Sequence, residues 1–179
     1  MSARVPERLR WAVRVLDISP EDQVLEIGCG SGVAVSLIGD QLAGGCITAI
    51  DRSATAIKRA TERNADHVAS GKAVLRQVDL AAFTGFGRRF DKVFAVNVNL
   101  FWVRPADPYL MIIKEHLRRD GVLHLFYERP GSEKASHMAK AVTAALSSQG
   151  FSTVVTSGPS PSLYCVSARP ISDNPADSP

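Results

Sequence analysis

The sequence predicts an α/β fold: a seven-stranded, mostly parallel sheet with helices on both faces, ending in an antiparallel hairpin. Three observations carry this reading. Short apolar runs alternate with helical patterns through the first five strands, and such alternation implies parallel strands joined by crossover helices. Two further apolar runs flank Gly158-Pro159-Ser160-Pro161, a connection short enough only for an antiparallel pair. The length, 179 residues, suits one domain with a sizeable core.

Each element has a local reason. Residues 5–16 place Leu9, Ala12, Val13 and Leu16 on one side of a helix, and Ser19-Pro20 ends it. The first strand is expected at about 23–28, a helix at 31–43 and the second strand at 46–51. A second crossover helix runs from an N-cap at Ser53 to about His67, with Ile57, Ala60, Thr61 and Val68 inward. The third strand follows at 73–78, and residues 80–88 read as an irregular loop with one short turn. The fourth strand spans 90–96, with Phe94 and Val96 on one face and Val93 and Ala95 on the other. Asp107 and Pro108 suit the N-cap and first position of a helix to about Leu117. Asp120-Gly121 is expected to turn the chain into a strand at 122–127. Ser132 starts a helix to Ser148, with Met138, Val142, Ala145 and Leu146 inward, and Gly150 stops it. Strands at about 151–156 and 162–168 close the fold. By segment, 1–19 is a lead-in helix, 20–169 the main domain, and 170–179 a polar, proline-punctuated tail expected to be disordered.

Composition narrows the function class. The formal net charge is +3, which neither demands nor excludes an anionic partner. Basic residues are scattered over Arg4, Arg8, Arg10, Arg14, Arg88-Arg89 and Arg118-Arg119, a solvated surface rather than a nucleic-acid stripe. Cys29, Cys46 and Cys165 show no C-x-x-C pairing. They read as reduced thiols, with neither a disulfide framework nor a zinc site, and no metal is expected. No apolar stretch approaches the ~20 residues of a membrane span, and residues 1–6 lack a signal-peptide apolar core. A cytoplasmic location is expected.

The chemistry concentrates in Val24-Leu25-Glu26-Ile27-Gly28-Cys29-Gly30-Ser31-Gly32-Val33 and in Ala49-Ile50-Asp51-Arg52. Glycines there turn the chain sharply and let a ligand meet bare backbone. The residues after them open a helix whose first N–H groups lack internal partners. Asp51, at the tip of the second strand, can accept hydrogen bonds from both hydroxyls of a ribose. This describes a nucleoside-cofactor site. In the dinucleotide fingerprint the third glycine would stand where Val33 is, which weighs against an oxidoreductase.

The E-x-G-x-G-x-G spacing, with its acidic strand end about twenty residues on, resembles the first motif of class I S-adenosylmethionine-dependent methyltransferases. The seven-strand, Rossmann-like layout with its terminal hairpin is similar to theirs over roughly residues 20–169. The resemblance implies S-adenosylmethionine as cofactor and S-adenosylhomocysteine as product. Ligands of open α/β sheets bind beyond the carboxyl ends of the strands. On the cofactor side that selects Glu26, Gly28, Cys29, Gly30, Gly32, Asp51, Arg52, Asp79, Leu80 and Asn97. In the family an acid placed as Asp79 accepts from the adenine amino group; alternatively it caps the turn at 80–83. An acid placed as Glu26 helps hold the methionine part, or it bonds backbone N–H groups of the glycine loop. Arg52 either flanks adenine or is a surface arginine. Cys29 is a conceivable nucleophile, but no histidine lies near it in sequence.

The substrate side falls to Asn99, Trp102 and Tyr127, with Arg104, Glu128, Arg129, His137 and Tyr164 also within reach of the mouth. Among these His137 is a candidate base. Phe101 and Trp102 have a competing reading as core. The N/D-P-P-Y/F sequence of adenine-N6 and some glutamine methyltransferases is missing after the fourth strand, which argues against base-amine methylation by that route. The expected reaction is in-line methyl transfer to a small-molecule acceptor, for which a general base is optional, so no catalytic residue is named. A non-catalytic S-adenosylmethionine-binding protein of the same fold and an RNA methyltransferase remain as alternatives. The oligomeric state is left open.

Overall fold

β1 (Gln23–Ile27) is apolar apart from its Gln and Glu and lies inside the sheet, bonded on one side to β2 (Cys46–Asp51) and on the other to β4 (Phe90–Val96). Outward from these come β3 (Ala73–Gln77) beside β2, and β5 (Leu117–Glu128), β7 (Leu163–Pro170) and β6 (Phe151–Ser157) beside β4. The computed structural model describes residues 5–103, 106–128 and 132–171, with the side chains of 102, 103 and 132–135 left aside. The order is β3-β2-β1-β4-β5-β7-β6. β7 alone runs against the other strands, antiparallel to both β5 and β6. The α/β class, the mostly parallel seven-stranded sheet and the closing hairpin are as the sequence predicts.

Helices cover both faces. On one, α1 (Glu7–Leu16), α2 (Val33–Gly39) and α3 (Ala54–Arg63) bury Trp11, Leu16, Ile38 and Ala60 against Val24, Ile47, Phe94 and Phe126. Trp11 meets Phe126 edge to face at 5.5 Å, a geometry favoured by the ring quadrupoles. On the other, α5 (Leu100–Val103), α6 (Asp107–His116) and α7 (Ser132–Ser148) pack Phe101, Leu110, Val142 and Leu146 on Leu25, Val93, Leu123 and Val166. The alternation within β4 falls as expected, with Phe94 and Val96 on the α1 face and Val93 and Ala95 on the α7 face.

Several boundaries differ from the sequence reading. The first crossover helix begins at Val33 because Gly30 and Gly32 hold φ of +53° and +72°. The second is broken at Asn64 into α3 and α4 (Ala65–Ala69). There the buried Asn64 amide donates to the carbonyls of Gly32 (2.9 Å) and Ala60 (2.8 Å), trading helix continuity for a tie to the glycine loop. Asp107 is the first residue of α6, not its cap, which is Ala106. Asp120-Gly121 does not turn the chain. β5 runs through it with a bulge, its register jumping from Phe90↔Leu117 to Lys92↔Val122. Arg118 pairs with Asp91 at 2.8 Å across that bulge, and a Cβ on Gly121 would sit 2.9 Å from the Phe90 carbonyl. At the far end β7 extends through Pro170 into the expected tail, whose residues 172–179 lie outside the described residues.

Candidate functional site

The carboxyl ends of β1, β2, β3 and β4 open into one cleft of about 450 Å³. Ile27 and Gly28 line it from β1, Ile50, Asp51 and Arg52 from β2, and Val78, Asp79 and Leu80 from β3. Asn97, Val98, Asn99 and Leu100 line it from the segment after β4, and Tyr109 reaches it from α6. This is the crevice that open α/β sheets reserve for ligands.

The glycine loop is held by its own backbone. The amides of Gly28 and Cys29 both donate to the Ile50 carbonyl (2.8 and 3.1 Å), and Gly32 N donates to Cys29 O at 3.0 Å. A Cβ on Gly28 would come within 2.8 Å of the Val98 side chain, so a bare residue is what lets the loops after β1 and β4 approach. A Cβ on Gly30 would meet nothing within 4 Å; the open space belongs to solvent or ligand. Gly32 is different. It is buried, and a Cβ there would lie 2.8 Å from that of Ala60, so its role is to seat α3.

Asp51 is half-buried, and each carboxylate oxygen takes one backbone amide: Oδ2 from Gly30 (3.0 Å) and Oδ1 from Ser53 (2.9 Å). A carboxylate offers about four acceptor sites, so both oxygens keep a lone pair. Asp79 is exposed and caps the 3-10 turn Leu80–Ala82, its Oδ1 accepting from Ala81 N at 2.9 Å. The capping role is thus realised, and Oδ2 is left for the cleft. Leu80 is buried beneath it, and Arg52 is exposed at the rim.

Glu26 and Cys29 do not line the cleft. Glu26 pairs in register with Ala49 and Phe94 on the α1 face and is 3% exposed. Its Oε2 has no hydrogen-bond partner among the described residues. Burial, and then the neighbouring Asp51 charge, push its pKa up to about 8. The Cys29 thiol is buried among the apolar side chains of the α1 face. Burial raises its pKa above the usual thiol range, helped by Glu26 and Asp51. A protonated thiol away from the cleft is no nucleophile.

Asn97 adopts φ +57°, donates its amide to Phe126 O (2.8 Å) and accepts Glu128 N on Oδ1 (2.8 Å). It staples the end of β4 to the end of β5 while lining the cleft. Asn99 is exposed on the same segment. Trp102 falls in α5, its side chain outside the described residues, as are Arg104 and Arg129. Tyr127 is a correction. It is 1% exposed, stacks on Tyr164 at 5.5 Å and belongs to the α7-side core, because the alternation of β5 turns it inward. Tyr164 is buried with it, His137 is exposed on α7 without lining the cleft, and Glu128 pairs with Arg8 at 3.2 Å. Leu100 lines the cleft on the segment after β4, and Tyr109 joins it from α6 with no signal in the sequence that places it there. The apolar period of residues 107–116 marks a helix but does not say which strand tip the helix crosses.

The sheet order, the glycine loop after β1 and the acidic end of β2 define the class I S-adenosylmethionine-dependent methyltransferase fold. Residues 25–123 match the family model described as a methyltransferase domain, and the chain belongs to that family. No curated protein matches it. Among solved structures it is similar to the glycopeptide N-methyltransferase MtfA complexed with S-adenosylmethionine, with 18% identity and a TM-score of 0.74 over 92% of this chain and 93% of that one. It is similar to a SAM-dependent O-methyltransferase from Thermotoga maritima, with 15% identity and a TM-score of 0.69 over 97% and 68% of the two chains. With coclaurine N-methyltransferase bound to N-methylheliamine and SAH, it shares 18% identity and a TM-score of 0.58 over 66% of this chain and 34% of that one. What these structures share with the chain is the fold. Among the described residues no His, Cys, Asp or Glu cluster is arranged for a metal, and no helix is long and apolar enough to cross a membrane.

Proposed function

We propose that the chain is an S-adenosylmethionine-dependent methyltransferase acting on a small-molecule acceptor. The observation that carries this is the Asp51 carboxylate, clamped by the amides of Gly30 and Ser53 with a lone pair spare on each oxygen, beside a loop of bare backbone. The residues present fit the cofactor. Asp51 would accept from the ribose hydroxyls and Asp79 from the adenine amino group. Ile50, Val78 and Leu80 offer apolar flanks for a flat base. Glu26, buried behind the glycine loop, keeps a carboxyl oxygen without a hydrogen-bond partner among the described residues, and a buried polar atom without one is costly.

When bound, the cofactor supplies a methyl group already activated on a sulfonium. The chain is left with alignment and exclusion of water, which can contribute ~7–11 kcal/mol to lowering a barrier. Asn99, Leu100 and Tyr109 also line the cleft. They are neutral, which supports a neutral or weakly polar acceptor. MtfA is named for a glycopeptide and the coclaurine enzyme was crystallised with a small amine, in keeping with acceptors other than nucleic acid. The cytoplasm is the proposed location, in keeping with three free, buried cysteines.

Calorimetry with S-adenosylmethionine, S-adenosylhomocysteine and NAD tests the cofactor, and release of S-adenosylhomocysteine over a panel of small amines, phenols and thiols tests the transfer. Binding of the first two but not the third is expected. Binding of NAD alone would overturn the reading, and tight cofactor binding with no transfer to any of the panel would favour a non-catalytic protein of this fold.

A further inference from the structure

The last strand in the sheet order, β6, is an open edge: among the described residues it is paired only with β7. Proteins blunt such edges with lysines, prolines, bulges or short length. β6 has none of these. Its register with β7 is unbroken over seven residues, Phe151–Ser157, and no charged residue occurs anywhere from Gly150 to Ala168, in a chain of which 22% is charged. Three of the six exposed large apolar side chains of the described residues gather here: Val154 (66%), Val155 (50%) and, joined to the strand through Gly150, Ile171 (53%).

The direction of each backbone group on β6 follows from two bonds at its ends. Gly158 N donates to Leu163 O (2.7 Å), and Ile171 N donates to Gly150 O (2.8 Å). Bonded pairs alternate along an antiparallel ladder, so the even-numbered residues turn their N–H and C=O toward β7. The N–H and C=O of Phe151, Thr153, Val155 and Ser157 therefore face outward.

We infer that this edge docks a second copy of the chain, β6 against β6 about a two-fold axis, joining two seven-stranded sheets into one. Antiparallel pairing that matches outward groups with outward groups must be centred on a residue. Centring on Val154 pairs all seven residues: Val154 with its symmetry mate, Thr153 with Val155, and Phe151 with Ser157. Four bonded pairs exchange about eight main-chain hydrogen bonds, within the ~10 ± 5 of an ordinary interface. The central Val154 pair is of the non-bonded kind, whose side chains come closest, and the most exposed large apolar side chain of the edge is covered there. An uncharged strand meets its own copy without like-charge repulsion, the condition for an isologous contact.

The test is sedimentation of the full chain across a concentration series, with melting curves for every variant. The wild type is expected to be a dimer. Val154→Glu sets two like charges against each other and is expected to raise the dimer dissociation constant at least ~100-fold. Mixing Val154→Glu with Val154→Lys should restore a dimer that neither forms alone. Val155→Pro removes an outward N–H without touching the β7 ladder and is expected to give a folded monomer. Val154→Cys should cross-link on mild oxidation, since its mate sits directly opposite. A wild type that stays monomeric, or a dimer that survives both Val154→Glu and Val155→Pro with native melting, would overturn the assignment. So would a monomer that dimerises only when residues 172–179 are removed, because the edge would then belong to the chain's own end.

Discussion

Asp51 Oδ2 accepts the amide of Gly30 at 3.0 Å, so the tip of β2 and the loop after β1 form one unit. The carboxylate that would hold the ribose also fixes the loop beside it, and cofactor affinity and loop order are coupled through one side chain.

Asp51→Ala is therefore expected to weaken S-adenosylmethionine binding by ~10- to 150-fold, since hydrogen bonds to charged groups contribute ~1.5–3 kcal/mol. Asp51→Asn keeps one acceptor oxygen and should fall between. Asp79→Ala should cost less, because its Oδ1 is already given to Ala81. Calorimetry on folded variants checks the order; unchanged affinity for Asp51→Ala would remove its ribose role.

Glu26 makes stability depend on pH. Its pKa rises from about 4.5 to about 8 on folding, chiefly through burial. Between those values the folded chain keeps a proton that the unfolded chain has released, so this contribution is complete below about pH 4.5 and lost as pH rises to about 8. Glu26→Gln should flatten that slope and be the more stable form at pH 8. Urea midpoints for both proteins at pH 5 and pH 8 decide it: a wild type that gains on the variant with rising pH contradicts the buried, protonated state.

Asn97 carries both a left-handed backbone and the bond to Glu128 N. Asn97→Ala loses the bond and strains the backbone, for an expected loss of ~1–3 kcal/mol. Asn97→Gly relieves the strain but not the bond, and should lie between alanine and wild type. Equal melting temperatures for all three would show that the staple contributes nothing.

Asn99→Ala and Trp102→Ala are expected to spare cofactor affinity and reduce methyl transfer by ~100-fold, the scale of a lost alignment. Both follow β4, beyond the acidic strand tips. Wild-type turnover in two stable variants would move the acceptor end elsewhere in the cleft.

All three cysteines are buried, and burial raises the pKa of Cys29 and Cys165. A thiol reagent at pH 8 should find no fast-reacting group in the native chain and three after denaturation. A rapid native thiol would show that one of the three is open to solvent.

The alternation of apolar runs, the glycine spacing and the acidic ends of the second and third strands determined the sheet, its closing hairpin and the strand tips that form the cleft. These are local signals: a two-residue period makes a strand, a glycine makes a sharp turn, and a carboxylate at a strand tip points where ligands bind. The facing of individual side chains was decided only by the tertiary structure. Tyr127 went into the core and Tyr109 into the cleft because strand pairing sets which face of β5 is inside and packing sets where α6 crosses the sheet. Asn64 broke a helix that its own sequence favours, because a carbonyl of the glycine loop, 32 residues away, needed a donor. Asp120-Gly121 continued β5 as a bulge because β4 was already there to pair with it. A turn residue states what the chain can do, and the neighbour across the sheet decides whether it does.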